Sequence, residues 1–406
     1  MACLSALPYE LSLQIINLLD IGDKFHLSAT CKRYRTILVP EIFNTLRFTT
    51  DEASATSALI AAKAHGQYMK EIEFTCQCDP DDQPAGPSLP PAACEVLKGD
   101  LTPNLHMVRL KFDFDLDNEE DQVHRFFQDV EDAEEVRMEE LRDKWRALLN
   151  ETWEALVANS LVRELILDDL PPKWTSTYHN DAFRRFLGQL ESATLNIFGM
   201  KDYSEACTNT MRGCREFLID LDASFFRHMR GLKHLHIRAS DPLGLGNDSL
   251  PYTPLALKPE DLPLLQSLKL ENCFISSELV SFIQSHAQAL KSLDINECFS
   301  KDMPWAEFFD EIYRAKTSLS ELLAGGNKMP WFRDEKFEWM DDDPVLQHTL
   351  QKLEADPTLK VFRHAFLDAD EGYLCSDEDE NVLRFNQGLD QRAYNRLMGQ
   401  VNENRA

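Results

Sequence analysis

Apolar residues in the second half of the chain return in one short pattern. Residues 265–273, Leu-Gln-Ser-Leu-Lys-Leu-Glu-Asn-Cys, and residues 290–298, Leu-Lys-Ser-Leu-Asp-Ile-Asn-Glu-Cys, both run Leu-x-x-Leu-x-Leu/Ile and end on Cys. A weaker copy spans 319–327 and ends on Asn327, and looser ones begin at Leu232, Val162, Leu105 and Met69. A start at Leu190 puts Ala193 where leucine is expected. Alternation inside each copy predicts a strand with one buried face. Between copies the spacing changes to three and four. Leu279, Phe282 and Ile283 follow a serine cap at Ser277, and Phe308, Phe309 and Ile312 follow Pro304, so each run predicts a helix. The starts at 265, 290 and 319 stand 25 and 29 residues apart, enough for one strand and one helix. Earlier gaps are longer and predict insertions, among them an acidic helix within about 117–158 carrying Leu141, Trp145, Leu148, Thr152 and Leu156 at helical spacing.

The first fifty residues have a different rhythm. Pro8 suits a first helical turn, and Leu11, Ile15, Leu18 and Leu19 then place an apolar stripe on one side of a short helix. Asp20-Ile-Gly-Asp23 interrupts the stripe, and Asp23 can cap a second helix with Phe25, Leu27 and Ala29. A third, basic helix starts at Cys31-Lys-Arg-Tyr-Arg. Some forty residues cannot bury both faces of three amphipathic helices, so an apolar face is expected to await a partner or to cap the first repeat.

Charge then narrows the function. Forty-two basic and sixty-nine acidic residues give a net charge of −27, which repels nucleic-acid phosphate and anionic lipid. Residues 117–143 alone hold twelve Asp/Glu and three Arg. No run approaches eighteen apolar residues, and the start lacks the charged head and cleavage site of a secretory signal, so cytosol or nucleus is the expected compartment. The cysteines often sit in apolar runs, as buried reduced thiols do. Only Cys76 and Cys78 suggest metal, and no second pair at zinc spacing supports them, so no metal or cofactor is expected. Prolines crowd residues 79–91 and 239–263, which read as irregular loops. Residues 366–406 open with seven acids and no base in 368–380 and are expected to form a mobile, dispensable tail.

The N-terminal order Leu7-Pro8-x-Glu10-Leu11, Ile15, Leu18-Leu19, the Cys31-to-Arg35 run and Ile42-Phe43 resembles the F-box family, with Thr30 and Tyr34 where that family often has Val and Trp. The resemblance implies that Leu7, Pro8, Leu11, Ile15, Leu18 and Leu27 pack on the Skp-family adaptor that links F-box proteins to a cullin-based ubiquitin ligase. The repeat fits the leucine-rich template Leu-x-x-Leu-x-Leu-x-x-Asn/Cys. The expected architecture is α/β: a three-helix F-box at 1–48, an irregular leucine-rich-repeat solenoid of strand-helix repeats at 49–365, and the tail. The expected function is that of a substrate-recognition subunit of an SCF-type cullin-RING ubiquitin ligase. The competing expectation is a non-catalytic interaction scaffold acting without a ligase.

No nucleophile elbow, zinc-protease helix, Walker loop or kinase signature occurs, so no active site is expected. Cys375 stands among acids that disfavour a thiolate. Alternation in 232–238 sends Leu235 and Ile237 inward and His234, His236 and Arg238 outward, with Lys269 expected beside His236 on the next strand. These four residues are the sequence's candidate for binding a target protein, either as a patch for an acidic or phosphorylated segment or as an ordinary solvated strand face.

Overall fold

The computed structural model describes residues 8–78, 89–114, 126–199, 211–244, 253–326, 344–367 and 374–406. Three short helices come first: α1 (Tyr9–Asn17), α2 (Ile21–Thr30) and α3 (Lys32–Ile42). The cap of α2 is Asp20, whose carboxylate accepts from the Asp23 amide at 2.7 Å, so Asp23 lies inside the first turn instead of before it. Ile16, Tyr34, Leu38 and Ile42 are buried together between these helices. Two residues after α3 the chain is already a strand.

That strand is β1 (Thr45–Thr49), and strands and helices then largely alternate. The order continues α4 (Glu52–His65), β2 (Glu71–Cys78), α5 (Pro91–Leu97), β3 (Met107–Phe114), α6 (Ala133–Arg142), α7 (Lys144–Val157), β4 (Glu164–Leu170) and α8 (Asp181–Gly188). It proceeds through β5 (Ser192–Ile197), α9 (Arg212–Ser224), β6 (His234–Ala239), β7 (Ser267–Phe274), α10 (Ser277–Ser285), β8 (Ser292–Phe299), α11 (Trp305–Arg314) and β9 (Glu321–Ala324). The nine strands form one sheet in sequence order, each pairing parallel with the next. Parallel neighbours need a crossover, and helices supply it and cover one sheet face, except between β6 and β7, where the described residues include no helix.

Register follows the repeated leucines. Ala193, Leu235, Leu268, Leu293 and Leu322 stand in one row across β5 to β9, and Leu195, Ile237 and Leu270 in another. All are buried, as is each residue that opens a copy. The Leu190 copy belongs to this series: Ala193 fills the row between Leu165 and Leu235, because a ladder of backbone hydrogen bonds asks only for an apolar side chain there. A strand at 45–49 was not anticipated. It uses Leu46 and Phe48 in the same two rows, so a boundary at residue 48 cuts through the sheet's first strand. Ser276, not Ser277, caps α10 by accepting from the Leu279 amide.

The acidic insert departs from its expected single helix. At Asp143 the backbone is extended, with φ −108° and ψ 120°, and divides α6 from α7. Trp145, Leu148, Thr152 and Leu156 are buried on α7, whereas Leu141 ends α6 at 77% exposure. Carboxylates hold α6 down instead. Glu131 pairs with Arg146 and Lys173, and Glu140 accepts from the Ser176 amide and hydroxyl at 2.7 and 2.5 Å. Arg146, Lys173 and Glu131 are all buried, so these pairs are little screened.

After β9 come α12 (Pro344–Ala355), β10 (Ala365–Leu367), β11 (Leu374–Ser376), α13 (Glu378–Gln387) and α14 (Leu389–Arg405). The expected mobile tail is therefore largely helical from Glu378 onward. Ala393, Leu397 and Val401 recur every four residues on α14 and are buried in the main core. Tyr394 packs its ring 5.5 Å from Phe309 and 5.4 Å from Phe362. Asp390 accepts from the Ala306 amide at the start of α11, and Gln400 and Asn404 donate to the Thr317 carbonyl. Composition misleads here because the acids crowd the beginning of the segment, while three buried apolar side chains suffice to dock its end. No helix among the described residues is long and apolar enough to cross a membrane.

Candidate functional site

Two surfaces carry the residues of interest. The first is on α1 and α2. Successive residues of a helix point in directions about 100° apart. Ile16 is therefore buried against α3, while Leu11 and Leu18 face outward and Ile15 is half-buried. Leu18 is 87% exposed. Ile21 and Phe25, which the stripe did not include, are also about half exposed on α2. Pro8 is exposed, and Leu7 lies outside the described residues. Leu27 is different: it packs against the buried group of Ile16, Tyr34, Leu38 and Ile42. Tyr34 belongs to that same group, which makes its position structural. Four large apolar side chains on two short helices thus remain in water, an arrangement that typically marks an interaction surface.

Small cores such as this one depend on their attachments. Lys24 on α2 pairs with Glu41 on α3 at 2.7 Å. The Phe43 ring stacks on His65 at the end of α4, with centroids 4.0 Å apart. The Asn44 carbonyl accepts from the Lys70 and Glu71 amides ahead of β2. The three helices consequently run into the sheet without a linker.

The second surface is the outward face of β6 and β7. His236 stands opposite Lys269 in the ladder, and His234 opposite Ser267. His234 and Arg238 are exposed, and His236 is half-buried. A carboxylate occupies the middle of this cluster: Glu271 Oε1 accepts from Lys269 Nζ at 2.6 Å and lies 3.3 Å from His236 Nε2. Burial depresses the His236 pKa, and Lys269 and Arg238 depress it further against the opposing pull of Glu271. These effects favour the neutral imidazole. The four residues come together, but not as four free positive charges.

Strands β1 to β4 repeat this self-neutralisation. Arg47 donates to both oxygens of Glu73 at 2.6 and 3.1 Å, Arg109 donates to Asp168 at 2.9 Å, and Lys111 to Asp113 at 3.0 Å. Pairs of this kind, whether across strands or two positions apart on one strand, stabilise the sheet modestly and leave little uncompensated charge for an anion. Sequence alternation places Glu271 on the same face as Lys269, two positions along β7, but only register with β6 brings it to His236.

Cys76 and Cys78 lie side by side on β2 with sulfurs 3.6 Å apart, both buried. Their mutual hydrogen bond and burial push the Cys78 thiol well above its ordinary range. Among the described residues no group of three or more His, Cys, Asp or Glu side chains could hold a metal ion.

Comparison with known families matches residues 4–44, the three helices with their flanks, to the F-box domain. No curated protein matches the chain.

Proposed function

We propose that the chain is the substrate-recognition subunit of an SCF-type cullin-RING ubiquitin ligase, without an active site of its own. The observation that carries this reading is the water-exposed row of Leu11, Leu18, Ile21 and Phe25 within the matched F-box domain. F-box domains generally bind Skp-type adaptors, and an adaptor would cover this row together with Pro8 and Ile15. Burying a leucine-sized side chain is worth about 1.5–3 kcal/mol, so four such residues are a substantial source of affinity. Leu27 would contribute indirectly, by packing inside the domain.

The sheet and its crossover helices we read as an irregular leucine-rich-repeat solenoid that holds the target. Catalysis would be by proximity. The adaptor and cullin bring a ubiquitin-charged enzyme to the held target and raise the effective concentration of its lysines. The direct passage from α3 into β1 suits this role, since it transmits position without slack. Cytosol or nucleus is where such assemblies work.

Replacing Leu11 and Leu18 with Asp tests the reading. Both are exposed, so folding should be unaffected, but two carboxylates would have to be desolvated against the adaptor. Co-purification with a Skp-family adaptor should fall at least tenfold, with unchanged circular dichroism. A double variant that retains wild-type yield of adaptor would refute the assignment.

A further inference from the structure

Beyond the ends of β7 and β8 the chain turns twice into helices, and a cavity of about 450 Å³ opens between the two turns. The volume is in the range of small-molecule and side-chain pockets. The walls have two chemistries. Phe274 and Ile275, both nearly fully buried, and half-buried Met303 supply apolar surface. Glu278, Asp302 and Glu307 supply three exposed carboxylates, against the one ammonium of Lys301.

Among the described residues none of those three carboxylates is in an ion pair; Glu278 accepts only from the neighbouring Ser277 hydroxyl, at 3.1 Å. This contrasts with the strand face, where Glu73, Asp168 and Glu271 each hold a cation. The helix starts that border the cavity do not make it an anion site. At α10 the Leu279 amide is already taken by Ser276, and Glu278 and Glu307 stand in the first turns of α10 and α11.

We propose that this cavity receives a lysine or arginine side chain from a basic segment of the target protein. Such a side chain lays its methylene stem on apolar surface while its charged head stays with carboxylates and water. Phe274, Ile275 and Met303 take the stem; Glu278, Asp302 and Glu307 take the head. The net charge of −27 draws a basic segment from a distance and repels an acidic one. The proposal rests on the reading of the chain as a target receptor and gives the target a sign opposite to that suggested by His234, His236, Arg238 and Lys269 alone.

The test uses the full chain bound to a Skp-family adaptor and two fluorescent peptides, one alternating leucine with arginine and one alternating leucine with glutamate. Fluorescence anisotropy measures their binding to wild type, to Glu278→Gln/Asp302→Asn/Glu307→Gln, and to Glu134→Gln/Glu354→Gln/Glu403→Gln. Both triple variants lose the same charge, but only the first loses it at the cavity. The arginine peptide should bind wild type and the second variant alike and bind the first at least tenfold more weakly. A single Glu307→Lys should weaken it as well, guarding against misfolding of the triple variant. Absence of arginine-peptide binding to wild type, equal loss in both triple variants, or preference for the glutamate peptide would each overturn the proposal. Adaptor pull-down on the same preparations separates the two readings: adaptor bound without peptide sinks the cavity proposal alone, whereas peptide bound without adaptor sinks the receptor reading.

Discussion

Leu397→Ala asks whether the C-terminal helix is part of the folded body. Leu397 is fully buried, with Ala393 one turn before it and Val401 one turn after, all on the side of α14 that enters the main core. Truncating a buried leucine to alanine costs about 2–5 kcal/mol, the loss of transfer energy plus the cavity left behind. The upper half of that range applies where neighbours cannot collapse into the space. Here they are constrained: Tyr394 is held between Phe309 and Phe362, and Asp390 is tied to the Ala306 amide. A loss of about 3 kcal/mol is therefore expected, with a fall in melting temperature of roughly 5 °C or more. Deleting residues 389–406 should do more, since it also strips the Asp390 cap from α11 and removes the donors Gln400 and Asn404 from the Thr317 carbonyl. Thermal and urea unfolding followed by circular dichroism measure both. If the deletion melts within a degree of the full chain, α14 does not pack as described and the docking argument fails.

Three other outcomes follow from buried charge and backbone geometry. Burial, reinforced by the adjacent Asp222 carboxylate, raises the Asp261 pKa to about 6. A raised carboxyl pKa contributes stability below its ordinary value of 3.8 and loses it as pH rises through 6, so Asp261→Asn should gain about 1–3 kcal/mol over wild type at pH 8 and converge with it near pH 4. Parallel urea midpoints for the two proteins from pH 5 to 8 would count against this. Glu131→Gln leaves buried Arg146 and Lys173 without their shared carboxylate and should cost about 3–5 kcal/mol, whereas a loss below 1 kcal/mol would mean that water reaches the pair. At Gly66 an added Cβ would lie 1.9 Å from the Leu101 carbonyl oxygen, so Gly66→Ala should destabilise by more than the about 1 kcal/mol typical of a point mutation, read again as a urea midpoint.

Local periodicity alone located β2 to β9, though not β1. A side chain's inward or outward direction on a strand depends only on whether its position is odd or even, so Leu-x-x-Leu-x-Leu announces an element wherever it occurs, even in the copy weakened by Ala193. The helices after Ser276 and Pro304 were legible for the same reason, and so was the N-terminal trio, whose pattern is confined to forty residues. What tertiary structure decided are choices between neighbours that local pattern leaves nearly equal. Ile15 and Ile16 are equally apolar, and only the position of Tyr34 and Leu38 on α3 makes Ile16 the buried one. His236 reads as unpartnered until parallel register sets it beside Glu271, which already stands two positions from Lys269 on the same strand. Leu141 continues the spacing of α7 until Asp143 turns the chain and carboxylates anchor α6 in its place. Residues 389–405 look polar along the chain, yet one narrow stripe meets a ready surface on α11. In each case the deciding free energy comes from groups distant in sequence, and a pattern read along the chain contains no term for it.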